Sequence, residues 1–107
     1  MTFAIVAWDE RTGMLGAAAA SSTSPTQGWS LHGHPAVGII ACGGVVDARL
    51  GIDGLRHLDG ADPRDAVLQL LESDPGRDSR QVLIVDSRGR TAAYSGRGCL
   101  PFFGHTE

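Results

Sequence analysis

Residues 62–94 read DPRDAVLQLLESDPGRDSRQVLIVDSRGRTAAY, and the fold class turns on this stretch. Asp62 is placed to cap a helix. Pro63 suits its first turn because proline's fixed φ is already helical, and Asp65 puts negative charge near the positive end of the helix dipole. Ala66, Val67, Leu70 and Leu71 recur at helical spacing, and Asp74-Pro75-Gly76 stops the run. Residues 81–85 and 91–94 are then apolar runs on either side of Asp86-Ser87-Arg88-Gly89, a strong hairpin signal. A helix followed by an antiparallel strand pair is the result.

Upstream, residues 3–8 are apolar at every position, which predicts a strand buried on both faces. Residues 9–13 are polar and end in glycine, as a hairpin turn requires. Residues 14–22 supply the partner strand, although Ala17 to Ala20 would also suit a helix. Residues 21–35 read as a loop, with Pro25 and Pro35 denying ladder bonds and Gly28 and Gly33 allowing tight turns. This loop carries Trp29, His32 and His34 and is the first place to expect a pocket. Residues 36–42 form a third strand, ended by Gly43-Gly44. Asp47 then caps a helix with Leu50, Leu55 and Leu58 on one face. Gly51 and Gly54 each weaken that helix by about 1 kcal/mol. Either something approaches its backbone closely or the segment is only partly helical. The order of three strands, two helices and two strands predicts an α+β sandwich with antiparallel sheets.

The chain of 107 residues, 42% hydrophobic, supports one domain spanning residues 1–107. Its net charge of −3 and lack of a basic stripe argue against nucleic acid or an anionic membrane as partner. No apolar run is long enough for a membrane span, and the N-terminus has no secretory pattern, so a cytoplasmic location is expected. All nine basic residues are arginine. Without lysine there is no Schiff base and no phosphate loop of the Gly-Lys-Ser/Thr kind. Cys42 and Cys99 do not make a disulfide framework and read first as small hydrophobes.

Taken together, these residues resemble a known family. Met1-Thr2-Phe3-Ala4-Ile5-Val6-Ala7, Thr12-Gly13, Leu15-Gly16 and Ala20-Ser21 match its opening hairpin. Gly38, the Gly51 to Leu55 segment, Asp74-Pro75-Gly76-Arg77, Arg80-Gln81-Val82 and Asp86 through Gly89 continue the match. Ser95-Gly96, Cys99-Leu100-Pro101 and Gly104-His105 complete it. The set resembles domain of unknown function 1028, a bacterial family classed with the Ntn (N-terminal nucleophile) hydrolases. The resemblance implies an αββα sandwich, or half of one, and hydrolysis of an amide or related acyl bond. It also implies a longer fold, completed by a second chain or a second copy. The chain departs from the family at Cys42-Gly43, which stands where a Thr-Gln pair is expected.

In that superfamily an N-terminal Thr, Ser or Cys attacks the carbonyl, and its own α-amine, with a pKa of about 7.7–8.0, serves as base. Thr2 is the position this chain offers once Met1 is removed. Asp9 and Ser21, at the ends of the first hairpin, are expected at the pocket. Gly43 and Gly44 are the candidate backbone donors to an oxyanion. Cys42 is an alternative nucleophile, lying at a strand end before a helix that would lower its pKa. His32, His34, His57 and His105 with the two cysteines form no recognised zinc motif, so neither metal nor other cofactor is expected. Phe102 and Phe103 in the aperiodic tail are expected to anchor a subunit interface, giving a homo-oligomer or hetero-complex. The expected substrate is a small molecule or peptide-like. The alternative roles are a catalytically silent Ntn-like assembly subunit and a small-molecule binding module.

Overall fold

The helix expected at residue 62 runs over Pro63–Glu72 (α2), and Asp62 caps it by accepting from the Arg64 amide at 2.9 Å. The hairpin that follows is also formed, by Arg80–Asp86 (β5) and Thr91–Ser95 (β6). Asp86 holds its turn. The buried carboxylate accepts from the amides of Arg88 and Arg90 at 2.9 and 2.8 Å and from Arg90 Nε at 2.7 Å. The computed structural model describes residues 2–22 and 30–107. The sequence readings at Met1, Pro25, Gly28 and Trp29 lie outside these.

The remaining elements are Thr2–Trp8 (β1), Leu15–Ser21 (β2), Leu31–His34 (β3), Gly38–Gly44 (β4) and Ala48–Leu58 (α1). The alanines of residues 17–20 are strand, paired antiparallel with β1 from Thr2↔Ser21 to Trp8↔Leu15. Three expectations are corrected. The strand of residues 3–8, expected to be buried on both faces, leaves Phe3, Ile5 and Ala7 exposed on one of them. Residues 31–34, read as loop, form β3, because the tight turn around Pro35 and Ala36 brings Leu31 opposite Ala41. The two glycines expected to end the next strand belong to it, with Gly43 opposite Gln81 and Gly44 opposite Arg80.

The strands make two antiparallel sheets, β1-β2 and β3-β4-β5-β6, so the α+β class holds. The smaller sheet lies over one face of the larger, with β1 above β4 and β5. The helices cover the opposite face, α1 over β3 and β4 and α2 over β5 and β6. Strand alternation sorts the side chains accordingly. Ile40, Cys42, Val82, Ile84 and Ala92 point at the helices and join Leu50, Leu58, Ala66, Val67, Leu70 and Leu71 in the core.

The glycines of α1 are explained by close approach. A Cβ on Gly51 would overlap the His32 ring, and one on Gly54 would fall 2.4 Å from Ile40 Cδ1. The helix gives up propensity at two positions and gains contact with β3 and β4. Among the described residues, no helix is long and apolar enough to cross a membrane.

Candidate functional site

The face of the larger sheet turned away from the helices is built from cross-strand rows. Gly43, Gln81 and Ser95 form one row, Ala41, Leu83 and Ala93 the next, and Ile39, Val85 and Thr91 a third. Above them β1 turns Thr2, Ala4, Val6 and Trp8 inward and leaves Phe3, Ile5 and Ala7 exposed. Trp8 sits against Gly89 at the β5–β6 turn. Thr2 is therefore at the other end of the strand, near the Gly43–Gln81–Ser95 row.

A cavity of about 630 Å³ opens between β1 and this face, lined by Thr2 to Val6, by the two rows nearest Thr2, by Thr91, and by Gly104 to Glu107 of the tail. Thr2 donates from Oγ1 to Ser21 Oγ at 3.2 Å across the hairpin. Gln81 Nε2 donates to Ser95 Oγ at 3.1 Å and to the Gly104 carbonyl at 3.3 Å. Ser95 Oγ lies 2.9 Å from His105 Nδ1. Thr91 Oγ1 donates to Glu107 Oε2 at 2.7 Å, so the tail is laced back over β6 and β5. None of the described arginines lines the cavity. Its walls are largely apolar, with Thr2, Gln81 and Ser95 near one end and His105 and Glu107 contributed by the tail.

Of the residues expected at the site, Thr2, Ser21 and Gly43 are brought together. Gly44 is not a lining residue: it closes β4 at φ +74°, and a Cβ there would fall 2.2 Å from the Ser79 carbonyl, so this glycine serves the chain turn. Asp9 is likewise elsewhere. It lies at the far end of the hairpin from Thr2, where it accepts from the Arg11 amide and the Thr12 hydroxyl. The Thr12 hydroxyl bond, followed by the Arg11 amide, holds its carboxyl below the usual carboxylate value. Asp9 is a turn residue.

Cys42 borders the cavity through its strand, but its side chain points into the core beneath the helices and the residue is 2% exposed. Burial pushes the thiol up to about 12, so the nucleophilic thiolate is scarce near neutrality. Iodoacetamide at pH 8 is accordingly expected to alkylate half-buried Cys99 in the native protein and to reach Cys42 only after denaturation. Intact-mass measurement before and after urea decides this, and native labelling of Cys42 at the Cys99 rate would contradict the packing.

His32 and His34 share the helix-facing side of β3. Among the described residues no group of three or more His, Cys, Asp or Glu side chains could hold a metal ion. Phe102 in the tail is almost wholly exposed. Gln81, Ser95 and His105 escaped functional assignment from sequence. Gln81 follows Arg80, Ser95 precedes Gly96 and His105 follows Gly104, with no motif joining them, and only the β5–β6 register and the return of the tail make them a cluster.

The family model for a family of unknown function (DUF1028) matches residues 2–107. The crystal structure of a DUF1028 protein from Silicibacter pomeroyi is similar at 37% sequence identity and a TM-score of 0.91. The match covers 96% of this chain and 46% of that one, so this chain spans less than half the length of that relative. No curated protein matches it. A family match over nearly the whole chain, joined to one architecture at this identity, places the chain in the DUF1028 family.

Proposed function

We propose that this chain carries the nucleophile of a cytoplasmic Ntn-type hydrolase that cleaves an amide or related acyl bond in a largely apolar substrate. The observation that carries the reading is the position of Thr2. It begins β1, opens on the cavity between the sheets, and has the Ser21 hydroxyl 3.2 Å from its Oγ1. With Met1 removed, the Thr2 α-amine takes the hydroxyl proton while Oγ1 bonds to the carbonyl carbon. Collapse of the tetrahedral intermediate breaks the C–N bond, and the leaving amine takes that proton. Water then hydrolyses the Thr2 ester, with the α-amine again as base. Ser21 orients Oγ1, and Gly43 lies on the cavity floor with its amide directed at Gln81 in the β4–β5 ladder rather than at the substrate.

A β-lactone acylating probe tests this without knowledge of the substrate. Protein beginning at Thr2 is expected to gain one acyl group, mapped to Thr2 by peptide mass. The Thr2→Ala variant is expected to lose labelling and any amidase activity by about 10³-fold or more. Retained labelling in Thr2→Ala would overturn the assignment.

A second reading rests on the 2.9 Å contact between Ser95 Oγ and His105 Nδ1, a nucleophile–base distance. Gln81 Nε2 donates to Ser95 Oγ and to the Gly104 carbonyl, and with His105 in the tautomer unprotonated at Nδ1 the Ser95 hydroxyl donates to it. A fluorophosphonate that labels Ser95, and fails on His105→Ala, would favour this pair over Thr2. Silence to both probes would favour an assembly or binding role.

A further inference from the structure

Two Asp-Gly pairs occur in the chain, Asp53-Gly54 and Asp59-Gly60. In such a pair the second residue has no side chain to shield its backbone nitrogen from the aspartate carboxyl beside it, and glycine lets the backbone turn to bring the two together. Whether they meet depends on how firmly the fold holds the carboxyl and the peptide group. Asp53-Gly54 is held. Both residues lie inside α1, whose geometry commits the Gly54 amide to the carbonyl four residues earlier. The Asp53 carboxylate accepts from Arg56 Nη1 at 3.2 Å, and Gly54 is buried against Ile40.

Asp59-Gly60 lies in the connection between α1 and α2 and is not held. Asp59 closes α1 with φ −62° and ψ 108°, and Gly60 follows at φ +79° with nothing within 4 Å of the place a Cβ would take. Both residues are exposed. The amides on either side are tied, Asp59 to the Leu55 carbonyl and Ala61 to the Leu58 carbonyl, each at 3.1 Å. Between them, nothing among the described residues bonds to the Asp59 carbonyl, the Gly60 amide or the Asp59 carboxylate. Turning this one peptide group therefore breaks no hydrogen bond to the described residues. Just beyond it Arg90 fixes the start of α2, donating from Nη2 to the Ala61 carbonyl at 3.2 Å and from Nη1 to Asp62 Oδ2 at 3.3 Å.

We infer that Asp59-Gly60 is a site of spontaneous backbone modification, closing to a succinimide and reopening as isoaspartate, and that the fold spares Asp53-Gly54. The Gly60 nitrogen bonds to Asp59 Cγ. Its proton, one carboxylate oxygen and a proton from solvent leave as water, and the succinimide ring closes. Water then adds to one of the two ring carbonyls. Addition at Cγ restores aspartate; addition at the main-chain carbonyl leaves the chain running through Cγ, with the former main-chain carbonyl now a free carboxylate. The isoaspartyl form thus carries one extra backbone methylene in the α1–α2 connection, next to the segment that Arg90 holds. The selectivity comes from hydrogen bonds within this chain and does not depend on which residue, if any, performs catalysis.

The test ages the native protein for several weeks at neutral pH in heavy-oxygen water, then digests it with an endoproteinase that cleaves before aspartate and not before isoaspartate. Cleavage before residue 59 is expected to be lost at least about tenfold faster than cleavage before residue 53, because the second site reacts only after local opening of α1. Peptide mass should show heavy oxygen entering residue 59, as passage through the succinimide requires. In guanidinium chloride neither site is held, and the two rates should become equal. Asp59→Glu, which would need a larger ring, is expected to gain no heavy oxygen at that position while melting as the wild type does. Three results overturn the inference: no loss at residue 59, equal loss at both sites in the native protein, or a preference for residue 59 that survives denaturation and so belongs to the local sequence rather than the fold.

Discussion

Asp74→Ala is expected to destabilise the protein by about 3–5 kcal/mol, because it breaks a buried ion pair from one side. Asp74 Oδ2 receives Arg80 Nε at 3.0 Å, Oδ1 receives Arg80 Nη2 at 3.4 Å, and the Gly76 amide donates to Oδ1 at 2.9 Å. Both side chains are only about a tenth exposed, at 9% for Asp74 and 11% for Arg80. Arg80 also donates through Nη1 to the Val45 carbonyl. One carboxylate thus ties the end of α2 to the start of β5 and, through Arg80, to the segment leaving β4. Alanine would strand the guanidinium charge and the Gly76 amide together. The pair also predicts a pH dependence. The Arg80 hydrogen bond, chiefly, holds the Asp74 carboxyl below its ordinary 3.8, against the opposing effect of burial. A depressed folded-state value means the contribution is fully present above about pH 4 and lost as pH falls through that lower value. Urea unfolding at pH 7 and at pH 3 should therefore show a smaller gap between wild type and Asp74→Ala at the acid pH. An equal gap at both would mean the carboxylate's charge contributes nothing to the fold.

The parts of this structure legible in the sequence are those fixed by local chemistry. Asp62 and Pro63 mark the start of α2, Asp74-Pro75-Gly76 its end, and Asp86 to Gly89 the hairpin, because capping and turn preferences act within a few residues. β3 was hidden because Leu31-His32-Gly33-His34 has the composition of a loop and becomes a strand only by pairing with β4. Gly51 and Gly54 were legible as a question, and the answer, His32 and Ile40 pressed against the helix, needed the packing. The site divides the same way. Thr2 and Ser21 could be paired in advance, since a hairpin of known length sets its own register. The expectation of Asp9 at the pocket fails because the same hairpin puts it at the opposite end from Thr2. Cys42 was read from its place at a strand end, but its side chain follows the alternation of β4 into the core. The Gln81–Ser95–His105 cluster depends on a tail with no period of its own, so nothing local announced it.

Ile40→Ala is expected to cost about 2–5 kcal/mol, since Ile40 is wholly buried at the junction of β4 and α1 and truncation leaves a cavity there. The more discriminating result comes from pairing Ile40 with Gly54. A Cβ at Gly54 would lie 2.4 Å from Ile40 Cδ1 and 3.4 Å from Leu70 Cδ2. Gly54→Ala alone sets a gain of about 1 kcal/mol in helix propensity against an overpacking cost of about 1–3 kcal/mol. Ile40→Val alone removes Cδ1 and loses about 0.5–1.5 kcal/mol. In the double variant the added methyl enters the space Cδ1 vacated, so the propensity gain survives and the clash does not. The double variant should be more stable than Ile40→Val, with a favourable coupling of about 1–3 kcal/mol between the two sites in urea unfolding. Strict additivity would show that α1 does not need its glycine for the approach of Ile40. The placing of Gly51 and Gly54 one turn apart on one face of α1 would then require some other cause than the two side chains lodged against them.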